Sequence, residues 1–161
     1  MAAAGFDATG MDLVPAAVKS AEEWYTNLPD GHALGGKLPG SVDFRCGNFF
    51  DEHKEHTGEY DLVFDCTFLC ALNPATYAKW AEEMALITKK GGELVTLIFP
   101  IGKKSPDGPP YAMTPELLEG LLGEWFECVS MVNPLPDELS HKILSKKGVG
   151  FASALAVWRR K

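Results

Sequence analysis

Residues 94–101, with the sequence LVTLIFPI, are almost uniformly apolar, and this run constrains the fold more than any other feature of the chain. Such a run suits a strand of a parallel sheet that is covered on both of its faces. Helical patterns lie before and after it in the sequence. The run therefore indicates an α/β fold with a mainly parallel sheet.

The helical pattern before this strand begins at Asn73 and Pro74, an N-cap residue followed by proline in the first turn. We expect the helix to end at residues 89–92, where two lysines and two glycines suit the helix dipole and a left-handed cap. The second helix should begin at Thr114 and Pro115. The predicted inward faces are Tyr77, Trp80, Ala81, Met84 and Ile87 in the first helix, and Leu117, Leu118, Leu121, Leu122 and Trp125 in the second.

The remaining segments continue the alternation of strands and helices. The strand candidates are residues 6–11, 42–46, 60–65, 126–132 and 151–158. A further helix should begin at Pro15, with one face formed by Val18, Ala21, Tyr25 and Leu28, and a long loop should cover residues 29–40. The order strand, helix, strand, strand, helix, strand, helix, strand, strand predicts one α/β domain over residues 1–161.

The charge balance excludes some classes of partner. The chain has a formal net charge of -7, and duplex binding depends on Lys and Arg that neutralise phosphates. The same charge argues against binding to an anionic membrane surface. No apolar run approaches the roughly 20 residues of a spanning helix, and the N-terminal MAAAG lacks the basic region of a secretory signal. We expect a soluble, cytoplasmic protein that binds neither nucleic acid nor membranes.

The cysteines and two of the histidines are residue types that can ligate metals. None of the four cysteines, Cys46, Cys66, Cys70 and Cys128, lies in a Cys-x-x-Cys pair, the close spacing with which zinc sites usually begin. Buried structural thiols are the favoured interpretation over a metal or disulfide role. His53 and His56 fall in a polar run, residues 51–59, that we interpret as a solvated loop.

Two short segments have the features of a nucleotide pocket. Asp12 follows a predicted strand and precedes a helix, where an acid in doubly wound folds accepts hydrogen bonds from ribose hydroxyls. An ordinary N-cap is an equally good interpretation of Asp12. After the next strand come Gly47, Asn48 and Phe49, where the amide carbonyl would accept from an adenine amino group and the ring would cover the base. A turn with local backbone bonding explains the same residues.

Two later segments suit the acceptor side of such a pocket. Residues 65–72 leave a strand at the central switch region, where ligands bind in open sheets, and their apolar character would exclude water. The alternative is the apolar start of a core loop. Residues 100–111 contain several prolines that fix the backbone, and Tyr111 is placed to reach a substrate with its hydroxyl. A rigid surface connector is equally consistent with that spacing.

Taken in order, these segments resemble the thiopurine and thiol/halide methyltransferase family of class I S-adenosylmethionine-dependent enzymes. The sequence LVFDCTFLCAL at residues 62–72 is similar to the family's LIFDYTFFCAI. Trp80-Ala81, followed by KKGGELVTLIFPI at residues 89–101, is similar to the family's WA…LKPGGELITLMFPI. GPPY at residues 108–111 and VWRR at residues 157–160 also follow the family pattern. The likeness covers nearly the whole chain.

The resemblance implies a Rossmann-like sandwich whose C-terminal strand is antiparallel, and binding of S-adenosylmethionine. It also implies methyl transfer to a small-molecule soft nucleophile such as a thiol, bisulfide, thiocyanate or halide. An acceptor that is already anionic needs no general base, so positioning and desolvation would carry the reaction and no catalytic residue is expected. The implied cofactor-binding residues are Asp12, Leu13, Gly47, Asn48, Phe49 and Asp65, and the implied substrate-binding residues are Phe68, Cys70 and Tyr111.

The chain departs from the family in several places. Cys66 replaces a usual Tyr, and Asp107 stands where a Gly normally precedes the GPPY motif, which bears on substrate identity more than on fold. No glycine-rich loop precedes residues 6–11, although relatives carry a first strand and such a loop ahead of this point. We therefore expect an N-terminally truncated domain whose two half-sheets expose edges for self-association or partner binding.

Two other classes of function are alternatives to the enzyme. A non-catalytic remnant that binds a partner through its exposed edge would have no cofactor affinity. A nicotinamide-dependent reductase would use Asp12 for ribose, but the chain has no Gly-x-Gly-x-x-Gly element, and Gly91-Gly92-Glu93 suits methyltransferases better.

Overall fold

The computed structural model describes residues 1–28, 40–140 and 151–161. Two compact units divide the chain, Met1–Glu52 (unit 1) and His53–Lys161 (unit 2). The prediction that residues 1–161 form one domain stays a prediction. No helix in the described part of the chain is long and apolar enough to cross a membrane.

Unit 1 is built on two parallel strands. Strand β1 (Ala8–Asp12) pairs in parallel with β2 (Val42–Cys46), and Asp12 lies opposite Cys46 in the register. Helix α1 (Pro15–Thr26) connects them in sequence and begins with proline in its first turn, as predicted. The predicted inward face of this helix is only half-buried, and none of its residues is fully buried. Of the predicted loop over residues 29–40, all but Gly40 lies outside the described residues.

Unit 2 contains the larger sheet. Its elements are α2 (His53–His56), β3 (Tyr60–Cys66), α3 (Tyr77–Ile87), β4 (Thr88–Ile101), α4 (Pro115–Leu122), β5 (Phe126–Val132) and β6 (Ala152–Arg160). The strand order is β3-β4-β6-β5. Strand β4 is parallel to β3, whereas β6 is antiparallel to both of its neighbours. The expectation of an antiparallel C-terminal strand is confirmed.

The core of unit 2 follows the predicted helix faces. The five residues predicted for the first helix are all buried on α3, and Trp80 is 0% exposed. On α4 only Leu118 and Leu122 of the predicted face are fully buried. In the sheet, Trp158 of β6 is 1% exposed, and its indole N–H donates to the Thr96 hydroxyl of β4 at 2.9 Å. The central strands and α3 therefore form the best-enclosed part of the described chain.

The predicted end of the first helix is wrong. Helix α3 ends at Ile87 and its cap residue Thr88 is extended, so residues 89–92 belong to β4 instead. The strand pairing explains the difference, because Tyr60 pairs with Thr88 while Leu62 pairs with Glu93. The extra residues on β4 form an irregularity in which Gly91 takes a φ of 78°, a backbone conformation that favours glycine.

The interpretation of residues 51–59 as a loop is also wrong. They contain α2, and the backbone N–H and ring Nδ1 of His53 lie 2.7 and 2.6 Å from the two carboxylate oxygens of Glu83. Glu83 is buried on α3 at 2% exposure. The polar run thus contains His53, the hydrogen-bond partner of the buried Glu83. A carboxylate removed from water requires such a partner.

The prediction of buried structural thiols holds for one cysteine in four. Cys70 is buried, whereas Cys46, Cys66 and Cys128 are exposed, and all four are free thiols. Each of the exposed three ends or lies in a strand whose side chains alternate between the two faces, so sequence neighbours alone did not fix their burial. Among the described residues, no group of three or more His, Cys, Asp or Glu is arranged to hold a metal ion.

The described strands form two separate sheets, β1-β2 and β3-β4-β6-β5. Truncation and self-association through the sheet edges stay predictions.

Candidate cofactor and substrate site

The carboxyl ends of β1 and β2 bring the first candidate residues together. Asp12 is the last residue of β1, and its carbonyl accepts a hydrogen bond from the backbone N–H of Gly47 at 3.1 Å. The Asp12 carboxylate is exposed, and one of its oxygens accepts from the Val14 N–H at 2.8 Å. Asp12 is therefore not the N-cap of α1, which is Val14, but it orders the turn that leads into the helix.

Asn48 is engaged in the turn after β2. Its amide oxygen accepts from the Phe50 N–H at 3.2 Å, and its amide nitrogen donates to Asp51 at 2.9 Å. The Phe49 ring meets the Phe50 ring edge-on, with centroids 5.4 Å apart. This is the local backbone bonding that the turn interpretation predicts. Contact of Asn48 and Phe49 with a base stays a prediction.

Leu13 directly follows β1 in sequence and is 68% exposed. Its carbonyl accepts a weak hydrogen bond from the Cys46 thiol at 3.7 Å. Asp12, Leu13 and Gly47 thus lie at the carboxyl ends of the two strands of unit 1, in neighbouring turns.

In unit 2, Asp65 is a buried carboxylate with three protein donors. It is 3% exposed and accepts from the backbone N–H groups of Phe68 and Leu69, at 3.1 and 3.2 Å. The Trp80 indole N–H donates to it at 3.0 Å. Burial raises the pKa of Asp65, and these three hydrogen bonds oppose the rise. Asp65 therefore fixes the loop after β3 to helix α3, and direct contact with a cofactor stays a prediction.

The loop after β3 also meets the segment that contains Tyr111. The Tyr111 N–H donates to the Cys70 carbonyl at 2.7 Å, so two of the three predicted substrate-binding residues are joined by a backbone bond. A Cβ at Gly108 would lie 2.6 Å from the Tyr111 ring, so glycine is required for this close approach. Phe68, the third residue, follows Thr67, which has a positive φ of 66°, and is 36% exposed.

The thiols of this region are poor nucleophiles. Burial, and secondarily the Asp65 charge, raises the pKa of Cys70 to about 11 and also raises the pKa of Cys66. Because the thiolate is the reactive form, both cysteines remain protonated near neutral pH. A covalent role for either residue is disfavoured, and the expectation that the site has no catalytic residue stays a prediction.

Sequence reasoning missed two features of this region. Trp80 was predicted only as part of an apolar face, although its indole N–H is the donor that ties Asp65 to α3. Tyr77 was predicted in the same way, and its hydroxyl is buried as well. Polar atoms on a predicted core face were the available signal, since buried Tyr and Trp usually require a hydrogen-bond partner.

Comparison with known proteins agrees with this architecture. The chain is 34% identical over 125 residues to the probable thiol methyltransferase 2 of Arabidopsis thaliana, covering 77% of this chain and 50% of that protein. It is 30% identical over 140 residues to thiocyanate methyltransferase 1 of the same plant, covering 86% and 55%. The chain therefore spans about half the length of the curated relatives it matches.

Solved structures show the same fold. A SAM-dependent methyltransferase from Methanosarcina mazei superposes with a TM-score of 0.77 at 17% identity, over 99% of this chain and 84% of that one. The N-methyltransferase NodS from Bradyrhizobium japonicum WM9, solved with S-adenosyl-l-homocysteine, gives a TM-score of 0.64 at 15% identity, over 96% and 66%. These likenesses confirm the Rossmann-like class I methyltransferase fold. Residues 1–161 match the family described as thiopurine S-methyltransferase (TPMT), and the chain belongs to that family.

Proposed function

We propose that this chain is part of an enzyme that transfers a methyl group from S-adenosylmethionine to a soft nucleophile. A thiol, bisulfide, thiocyanate or halide is the acceptor class. The observation that carries the proposal is the family match over residues 1–161, together with relatives named for thiol and thiocyanate methylation. The proposal places the activity in the cytoplasm, on small-molecule substrates and without nucleic acid.

The turns after β1 and β2 are proposed to hold the cofactor's nucleoside. Asp12 is exposed and uses one carboxylate oxygen for Val14, and a carboxylate offers about four lone-pair sites. The remaining lone pairs can accept from two ribose hydroxyls, so the Asp12 carboxylate fits the ribose of the cofactor. Asn48 and Phe49, with Leu13 and Gly47 beside them, are proposed to face the adenine. The Asn48 amide oxygen accepts one bond from Phe50 and keeps a second lone pair for the adenine amino group.

The loop after β3 is proposed to form the acceptor side. Asp65 orders the backbone of Phe68 and Leu69 and so positions Phe68 and Cys70, while Tyr111 is tied to Cys70. The cofactor, when bound, supplies an electrophilic methyl group, whose bond to sulfur breaks with the electron pair left on sulfur as the acceptor's lone pair bonds to carbon. No proton moves when the acceptor is an anion, so the protein's task is to orient it and exclude water.

The first test is calorimetric titration of the purified chain with S-adenosylhomocysteine. Micromolar binding supports the proposal, and Asp12→Asn should weaken it by about tenfold, because the charge-assisted bonds to ribose are lost. Asp43→Asn is the matched control, since Asp43 is an exposed acid of the same unit that pairs with Arg45. Methyl transfer to a thiol, thiocyanate or iodide is then assayed. Equal loss in both variants would contradict a specific role for Asp12.

A second candidate function is partner binding by a non-catalytic chain. Unit 1 exposes large apolar side chains, including Leu13 at 68%, Val14 at 53% and Trp24 at 66%. Exposed apolar surface of this kind is typical of interaction sites when it is contiguous. A folded sample that gives no heat with S-adenosylhomocysteine, and that self-associates in sedimentation velocity, would favour this function over the enzyme.

A further inference from the structure

The hydroxyl of Tyr77 is a buried polar group with no partner among the described residues. Tyr77 begins α3 and is 7% exposed, and its hydroxyl oxygen is enclosed without a hydrogen bond. A buried hydroxyl without a partner is unfavourable, so native proteins rarely keep one without a reason. Of the buried side-chain nitrogen and oxygen atoms in the described chain, this is the one left without a partner.

Two residues proposed for the acceptor lie within electrostatic range of this hydroxyl. Burial, followed by the nearby charges of Cys70 and Tyr111, raises the pKa of Tyr77 to about 12. The phenol is therefore neutral across the physiological range and offers a donor proton. Cys70 and Tyr111 are themselves joined by the 2.7 Å backbone bond. The free donor thus lies within electrostatic range of two residues that the sequence assigned to substrate binding.

A positive charge lies within electrostatic reach of Cys70. Lys103 lowers the pKa of Cys70, although burial and the Asp65 charge dominate and the net direction is upward. The Lys103 ammonium donates to the carbonyls of Asp107 and Pro110, next to Tyr111 in sequence. The negative charge of Asp65 is already shared among three donors. What this region offers an acceptor is therefore the hydroxyl proton of Tyr77 more than a positive charge.

We propose that the Tyr77 hydroxyl donates a hydrogen bond to the anionic methyl acceptor, a small soft anion such as thiocyanate or iodide. This inference rests on the proposed function and deepens it by assigning an acceptor-binding residue. The hydroxyl keeps its proton and forms no bond to the methyl group. Tyr77 therefore positions the acceptor and takes no part in the bonds that form and break. A desolvated anion requires such a donor, because it has given up its water.

The competing explanation is a structural water. A single ordered water between Tyr77 and a backbone group would satisfy the hydroxyl without any role for the acceptor. The two explanations predict different results for a variant that lacks the hydroxyl oxygen. Tyr77→Phe keeps the ring and deletes only the hydroxyl, and Tyr60→Phe is a matched control on β3 of the same unit.

The experiment measures thiocyanate binding by calorimetry and the KM for thiocyanate in methyl transfer, for the full chain and both variants. Tyr77→Phe should raise the thiocyanate dissociation constant and KM by about tenfold, the effect of a hydrogen bond to a charged group. Its affinity for S-adenosylhomocysteine should be unchanged, and its melting temperature should equal or exceed that of the parent chain. Tyr60→Phe should leave the thiocyanate dissociation constant, the KM for thiocyanate and the affinity for S-adenosylhomocysteine unchanged.

The other outcomes either contradict the inference or show that the inference and the proposed function fail separately. Unchanged thiocyanate affinity and KM in Tyr77→Phe would overturn the inference while methyl transfer kept the function intact. A lower melting temperature in that variant would indicate a water-bonded hydroxyl and would also overturn it. If the parent chain binds thiocyanate in a Tyr77-dependent way but does not bind S-adenosylhomocysteine, the anion site stands and the proposed function fails. A parent chain that binds no thiocyanate would reject the anion site.

Discussion

The two units differ in how completely their apolar side chains are buried. In unit 2 the inward face of α3 is fully buried, and Trp80, Leu94 and Ala154 are each 0% exposed. In unit 1 the buried apolar residues among those described come down to Ala2, and α1 has none. The same helical periodicity in sequence therefore produced an enclosed helix in one unit and a half-exposed helix in the other.

The candidate ligand residues follow the same division. Asp12 and Leu13 in unit 1 are exposed and held by bonds within their own turns, whereas Asp65 and Cys70 in unit 2 are buried and joined to other elements. Substitutions at the buried Asp65 and Cys70 should therefore affect folding first. Substitutions at the exposed sites of unit 1 should affect ligand binding with little effect on folding.

The largest contrast is expected between two tryptophans. Trp80→Ala removes a ring that is 0% exposed and leaves Asp65 without its indole donor, so the free energy of unfolding should fall by about 3–5 kcal/mol. Trp24→Ala, at a site that is 66% exposed, should change it by less than about 0.5 kcal/mol. Urea denaturation followed by far-UV circular dichroism measures both values.

Comparable losses in these two variants would contradict the division between the units. In particular, a large loss for Trp24→Ala would mean that α1 is covered by another surface in solution. Sedimentation velocity at several concentrations would then show whether a second copy of the chain provides that cover.

A smaller contrast is expected between two aspartates. Asp65→Asn replaces an acceptor by an amide whose NH₂ must face an N–H donor of Leu69 or Trp80, and should cost about 1–3 kcal/mol of unfolding free energy. Asp12→Asn keeps an oxygen for the Val14 N–H and should leave stability nearly unchanged. Denaturation curves and S-adenosylhomocysteine titrations of both variants separate the structural acid from the proposed ligand. A stability loss in Asp12→Asn equal to that in Asp65→Asn would contradict this assignment.

Much of the fold was predictable because periodicity reports burial. The strand over residues 126–132, the strand over residues 42–46 and the inward face of α3 were predicted correctly. The end of α3 was not, because pairing of β4 with β3 draws residues 89–92 into the sheet. Local cap preferences are weaker than strand pairing, which depends on residues distant in sequence.

The site was less predictable than the fold. Sequence placed Asp12 and Gly47 after adjacent strands, and the structure joins their backbones. It gave no sign that Glu83 would be buried against His53, or that Asp65 would bind Trp80, because both partnerships depend on tertiary packing. The side-chain roles at Asn48 stayed divided between a turn and a ligand, since one amide suits both.

The pH dependence of stability should have opposite signs in the two units. Burial raises the pKa of Asp65, so its contribution to stability is present below the pKa of the unfolded chain and is lost as pH rises through the folded pKa. Hydrogen bonds from the Ser41 side chain and backbone lower the pKa of Asp7, so its contribution is present at higher pH and is lost as pH falls through the folded pKa.

This sign difference is measurable with two variants. From about pH 4 upward, the stability advantage of the parent chain over Asp65→Asn should shrink. Its advantage over Asp7→Asn should instead grow as pH rises toward about 4 and should be constant above that pH. Denaturation midpoints at several pH values give both slopes, and taking differences from the parent chain cancels the other carboxylates. Slopes of the same sign would show that Asp65 is better stabilised as an anion than its burial indicates.

The smallest effect tests whether unit 2 is limited by its backbone as well as by its packing. Gly120 lies inside α4 with open space around the position of a Cβ, so Gly120→Ala should raise the free energy of unfolding by about 0.5–1 kcal/mol. Gly91 also has open space but a φ of 78°, so Gly91→Ala should lower it by about 1 kcal/mol. Urea midpoints of the two variants isolate backbone conformation from contact. If both alanines proved stabilising, the irregularity in β4 would not require glycine at position 91.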